Sequence, residues 1–283
     1  MSLFGGILKD FFRRFRRHRL GLFGAIIVII LFILALFAPL IAPSNPRKVD
    51  LSNTLAPLSL KNPLGTDHLG RDLLSRIIYG TRIALIVGIG SVAIAAFFGG
   101  IAGIIAGYFG RATDAAIMRF LDVVWAFPPI LLALALVAVR GASLSTVVFS
   151  IGIVGIPGHA RIVRSSVLSI KEKTYIMAAK ASGISHWRIL INHILPNILA
   201  PVIVVSTLSI AITIMIEATL SYLGLGMQPP NDSWGLMISE GQKYLRTYPY
   251  LSLFPGIMIM IIVFAFNVFG DGLRDAWDPK LKV

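Results

Sequence analysis

Six long apolar runs govern what this chain can become. They occupy residues 20–41, 81–108, 115–139, 144–159, 198–225 and 251–269. A helix rises about 1.5 Å per residue, so roughly 20 apolar residues cross the hydrocarbon of a bilayer. The fourth run is marginally short, and Gly152, Gly155, Pro157 and Gly158 weaken its inner end. The expected fold is an all-α polytopic membrane protein with six transmembrane helices. Composition points the same way. Only 14% of the 283 residues are charged, against about 25% in a soluble domain, and mean hydropathy is +0.83.

A net charge of +13 would suit nucleic acid, but its distribution argues against that partner. The basic residues cluster at the ends of apolar runs, where they act as topology signals. Six spans with both termini in the cytoplasm place 17 of the 26 Lys and Arg inside and nine outside. Residues 1–19 then form a basic cytoplasmic tail, FFRRFRRHRLG, read as an interfacial lead-in. The first span, 20–42, is too long for the apolar core of a signal peptide. Residues 271–283 form a polar cytoplasmic tail rich in turn residues. The chain has no cysteine, which excludes disulfides, thiolate metal sites and cysteine nucleophiles.

Residues 43–79 are expected outside and contain NPLGTDHLGRDLLSR. Thr66 or Asp67 suits the cap of a short helix on which Asp67, Arg71 and Asp72 pair at the surface. His68 lies between two acids, but ligand number and spacing are poor for a metal. In the second run Gly99, Gly103 and Gly107 recur every four residues, a packing face. Phe127-Pro128-Pro129 interrupts the third run and predicts a kink.

Between the fourth and fifth runs lies KEKTYIMAAKASGISHWRILINHILP, residues 171–196. Tyr175, Ala178, Ala179 and Ser182 fall at helical spacing. Gly183 suits a helix end, because glycine enters the left-handed region without a Cβ clash. Ser185 can cap a second short helix carrying Arg188 and ending near Leu195 and Pro196. Two helices about a glycine hinge make a compact knob suited to being held by a partner. His186 and His193 read as interfacial histidines rather than a metal pair.

Glu217 is the sole acidic residue in the spans of the second half. A carboxylate there is disfavoured by about 2.5–3.5 kcal/mol, so it must be protonated, paired or wet. Ser221 and Tyr222 are its expected neighbours. Two roles stay open for it: a structural hydrogen-bond centre, or a place on the pathway or its gate, together with Ser221, Phe127 and Pro128. The chain carries no phosphate-binding G-x-x-x-x-G-K-[ST], no H-E-x-x-H and no G-x-S-x-G, so no catalytic residues are expected.

The Ala178-Ala179, Gly183 and Leu195-Pro196 spacing resembles the EAA coupling loop of permease subunits of binding-protein-dependent ABC importers. Met177 stands where that family has Glu. The resemblance extends through GTD-x-x-GRD, VVWAFPP, HILPN, EATLSYLGLG, the SWG turn and FNVFGDGLRDAWDPK to the dipeptide, oligopeptide and nickel subfamily. It implies a five-helix core over residues 80–270, preceded by an extra first span. It also implies that Tyr175, Ala178, Ala179, Ser182, Gly183, Ser185, Arg188, Leu195 and Pro196 couple to an ATPase. Asp67, Gly70, Arg71, Asp72 and Trp234 would belong to the face that meets an extracytoplasmic binding protein. The implied partners are a second homologous permease subunit, two cytoplasmic ATPases and that binding protein. ATP and magnesium would be bound by the ATPases, leaving no cofactor in this chain. The implied setting is a bacterial or archaeal plasma membrane, and the cargo di- or oligopeptides, with nickel or short oligosaccharides as alternatives. A self-contained secondary transporter or channel is the competing class. It predicts inverted halves with matched broken helices, or several intramembrane charges, and leaves the knob unexplained.

Overall fold

The computed structural model describes residues 11–277, and within them the chain is helical apart from loops and one isolated bridge, Thr66 to Asp72. The helices are α1 (Arg19–Leu36), α2 (Ala38–Ile41), α3 (Leu73–Phe109), α4 (Arg111–Trp125), α5 (Pro129–Arg140) and α6 (Leu144–Lys171). After these come α7 (Thr174–Ala181), α8 (His186–Ile189), a π-helical turn (Leu190–Ile194), α9 (Leu195–Tyr222), α10 (Trp234–Gln242) and α11 (Tyr250–Trp277). Five segments are long and apolar enough to cross a membrane: α1, α3, α6, the continuous run His186–Tyr222, and α11. The pair α4–α5 adds a sixth span if it counts as one, although its halves bend by 83°.

Contacts between the two ends decide that count. Phe11 packs on Trp277 with ring centres 4.8 Å apart, and His18 Nε2 lies 3.1 Å from an Asp275 carboxylate oxygen. The start of α1 and the end of α11 therefore share one side of the membrane, which requires an even number of crossings. The bent pair is the sixth.

Several boundaries differ from those read in the sequence. α3 begins at Leu73 rather than 81, because Asp72 caps it by accepting the Ser75 N–H at 2.8 Å. α6 runs through Pro157 to Lys171, well beyond residue 159. Its glycines do not weaken it: Gly152 and Gly155 let it press against Ile94 and Ala95 of α3, and Gly158 leaves room for Trp125 of α4. A Cβ added at Gly103 of α3 would lie 2.5 Å from the Ala160 carbonyl oxygen, so backbones meet with no side chain between them. Ser91 Oγ also donates to the Val148 carbonyl across this interface, at 2.9 Å. The expected kink at Phe127-Pro128-Pro129 is a full break between α4 and α5. Where the sequence suggested a polar C-terminal tail from 271, α11 continues to Trp277, its Phe269 and Leu273 in an apolar cluster with Phe15. The remainder of that tail, and residues 1–10, lie outside the described residues.

Candidate functional site

At one end of the bundle the knob folds as a helix, a turn and the start of a second helix. α7 ends where Gly183 takes φ +77°, a left-handed value, and the Ile184 N–H returns to the Ala179 carbonyl at 3.2 Å. The second helix is not short. α8 passes through the π turn into α9, so Leu195 and Pro196 sit inside a continuous rod rather than at its end. Pro196 offers no N–H, and the wide turn, in which the Leu195 N–H reaches back to the Leu190 carbonyl, carries the helix past it. Ser185 occupies the N-cap position, but its side chain accepts no capping bond.

The knob has a clear inside and outside. Ile176 and Ala179 are buried with Ile189, Leu190 and Ile194 of the second helix and Val167 and Ile170 of α6. Ala179 thus packs into this buried cluster, whereas the resemblance implied a place for it on the surface that couples to an ATPase. Tyr175, Ala178, Ser182, Gly183, Ser185, Arg188, Leu195 and Pro196 are exposed. So are Met177, at 54%, and Trp187, at 72%, the latter a side chain that the sequence reading did not single out. An exposed tryptophan on one knob helix and an exposed tyrosine and methionine on the other have the composition of a binding surface.

Above the knob, α3, α6, α9 and the α4–α5 break enclose a cavity of about 320 Å³. Trp125, Phe127 and Pro129 line it from the break, and Ser91, His159, Ser209 and Thr213 supply its polar atoms. Pro128 sits in the break but does not line the cavity. At the cavity's rim the Arg161 guanidinium stacks over Trp125 at 4.2 Å and pairs with Asp122 at 2.6 Å. Glu217 is elsewhere. It is 2% exposed and accepts hydrogen bonds at Oε1 from Ser221 Oγ (2.7 Å) and Ser233 Oγ (2.8 Å). Ser221 Oγ in turn accepts the Met227 N–H at 2.9 Å. Glu217 and Ser221 therefore tie the end of α9 to the loop before α10, away from the cavity.

At the opposite end of the bundle, the residues expected to face a binding protein are folded inward. Asp67, Arg71 and Asp72 are buried; Asp67 and Arg71 join an ion-pair network rather than a surface pair, while the Asp72 carboxylate accepts from Ser75 and Asn62. Asp67 caps no helix; its Oδ1 accepts the N–H groups of Leu69 and Arg71. Its Oδ2 accepts Arg71 Nε and Arg76 Nη1, both at 2.6 Å. Arg76, only 1% exposed, reaches Asp232 at 2.8 Å and Glu240 at 2.9 Å. Arg71 also pairs with Glu240, at 3.1 Å. Gly70 has φ +71° and lies so close to the Asp50 carbonyl that a Cβ would collide with it. Trp234, 2% exposed, donates its indole N–H to the Ile77 carbonyl of α3 at 3.1 Å. These side chains join the loop before α3 to the α10 segment.

The cluster holds three carboxylates against two guanidiniums, and the acids divide accordingly. Burial pushes Asp67 upward, but Arg76, Arg71 and the two backbone N–H groups outweigh it and hold its carboxyl below the usual value. For Asp232, burial prevails over Arg76, and its carboxyl is raised. Asp67, His68 and Glu240 bring potential ligand atoms within 4.8 Å of one another. The Asp67 oxygens and Glu240 already serve the two arginines, so the grouping is an ion-pair cluster. Arg76, Asp232 and Glu240 lie far from the GTD-x-x-GRD motif or outside its wording, and no local pattern ties them to it.

Residues 99–283 match the family described as binding-protein-dependent transport system inner membrane component. Residues 6–57 match the N-terminal transmembrane domain of oligopeptide transport permease C. Among curated proteins, the chain is 45% identical to the dipeptide transport system permease protein DppC of Alkalihalophilus pseudofirmus, over 97% of this chain and 90% of that one. It is 41% identical to the glutathione transport system permease protein GsiD of Pectobacterium atrosepticum, over 97% and 91%. A chain from inward-facing structures of the MetNI methionine ABC transporter shares the fold, with TM-score 0.57 and 18% identity. That alignment covers 73% of this chain and 98% of the other.

Proposed function

Because the chain belongs to the binding-protein-dependent transport system inner membrane component family, we propose that it is the membrane half-channel of an ATP-driven importer of di- and oligopeptides. It is a multi-pass inner-membrane permease component and not an enzyme. Relatives named for dipeptide and glutathione transport support a short-peptide cargo. The observation that carries the reading is the knob: its inner side is packed into a cluster with α6 and Tyr108 of α3, while Tyr175, Met177 and Trp187 stay exposed on it.

In this reading two cytoplasmic ATPases, which bind ATP and magnesium, hold the knobs of this chain and of a second, homologous permease subunit. An extracytoplasmic binding protein delivers the peptide. ATP-driven closure favours one arrangement of the spans and release favours the other, since a ligand shifts an equilibrium only through unequal affinity. The cavity at the α4–α5 break is this chain's share of the pathway. With both termini cytoplasmic, single cysteines at the exposed Ser59, Ser145 and Gln242 react with an impermeant thiol reagent from outside, and one at Ser185 does not. Labelling of Ser185 from outside refutes the orientation.

Trp187→Ala with Tyr175→Ala tests the knob. Hot-spot losses of about 2 kcal/mol or more predict at least a thirtyfold weaker hold on the ATPases. The assay is co-purification from membranes, and Leu60→Ser in the outer loop is the control. Wild-type ATPase recovery with both aromatic rings removed would take the coupling role away from this surface.

A further inference from the structure

Tyr108 stands at the inner end of α3, next to its last residue, and is buried although the membrane surface is near. Its hydroxyl shares a 2.7 Å hydrogen bond with Nδ1 of His186, the first residue of α8. Lys180, in the last turn of α7, places its ammonium 5.0 Å from the Tyr108 ring centre. One side chain of α3 thus touches both helices of the knob, one on each side of the Gly183 turn. One residue earlier, the Gly107 carbonyl accepts the Lys171 ammonium at 3.1 Å, which fixes the end of α6 to the same point.

From there α3 runs without a break to Arg76 and the outer ion-pair cluster, a rise of about 48 Å. Over the stretch facing α6 the two backbones meet directly at Gly103, so neither helix can slide without the other. Close-packed contacts of this kind move as a unit rather than deform. The turn at Gly183 is open on one side, where no atom lies within 4 Å of where a Cβ would be, while Ile184 next to it packs on the cluster that includes Tyr108. The knob's orientation relative to α3 is therefore set at its base.

We propose that Tyr108 is a positioning residue. By holding His186 and Lys180 together, it makes knob and α3 one body, so displacement of the knob reaches the outer cluster through a single helix. The inference rests on the importer reading above and adds the route by which the two faces communicate. It requires no contact between Tyr108 and either ATPase or cargo.

The test uses the whole reconstituted complex with its ATPases, binding protein and a peptide that the binding protein retains. Tyr108→Phe keeps the ring and its contact with Lys180 but removes the hydroxyl. His186→Ala removes the other partner. Loss of one hydrogen bond that sets geometry is expected to lower peptide uptake per ATP hydrolysed about three- to tenfold in each variant. The double variant should be no worse than the poorer single one, because both remove the same link. Tyr108→Phe should still recover the ATPases at the wild-type ratio. The proposal is overturned if Tyr108→Phe transports with wild-type uptake per ATP, or if the two losses multiply in the double variant. Failure of the importer reading is distinct: the unmodified chain then recovers no ATPase.

Discussion

Arg76→Ala lowers the thermal midpoint of the purified chain by about 10 °C, the largest stability loss expected from one substitution here. The side chain is 1% exposed and serves Asp67, Asp232 and Glu240 at once. Removing one partner of a buried ion pair costs about 3–5 kcal/mol, because the charges left behind lose their compensation without regaining water. Here three acids would remain with Arg71 alone. Arg76→Lys should recover only part of the loss, since one ammonium cannot copy a fork that spans Asp67 and Asp232. Arg140→Ala, at an exposed helix end, is the control. Midpoints within about 2 °C of wild type for Arg76→Ala would mean that the cluster holds nothing together.

Glu217→Leu abolishes peptide uptake, and Glu217→Gln keeps at least half of it. Both Ser221 and Ser233 donate to the same carboxylate oxygen. Glutamine still offers an oxygen to both hydroxyls. Leucine leaves the two donors buried without a partner, at about 1–3 kcal/mol each. Uptake in vesicles, normalised to the amount of chain inserted, reads the difference. Equal inactivity of the two variants at normal membrane levels would show that the ionised group is required, and the hydrogen-bond account would fall.

The membrane-spanning order and the knob were legible because apolar length and turn chemistry are local properties. Residues 20–41 and 251–269 announce themselves by length, and Gly183 marks the turn that the structure places at φ +77°. Misreadings arose where a residue type fits two environments. Alanine suits an outer contact and a tight core equally, so Ala178 and Ala179 look alike in sequence, yet the first is exposed and the second buried. Gly155 and Pro157 weaken an isolated helix, yet in α6 tertiary packing on α3 overrides propensity. The outer network was out of reach for another reason. Arg76 meets Asp232 across 156 positions of sequence, and no period or motif encodes such a pairing. Trp234 likewise reads as an exposed turn residue until Gly80 of α3 is seen to leave room for its ring.

The joining of the chain's two ends carries a consequence for how the protein is made. The outer half of α1 enters a common apolar cluster with the start of α3, through Leu31, Ala35, Leu73 and Ile77, and can settle early. Its inner half cannot. Gly21 and Gly24 pack against Gly272 and Phe269 of α11, which leaves the ribosome long after α1. At about 5–20 residues per second, the intervening chain takes roughly 10–50 s to synthesise. Throughout that interval the glycine face of α1 stands open to lipid. A chain released before α11 keeps that face open for good, so finished and truncated products present different surfaces within the same membrane.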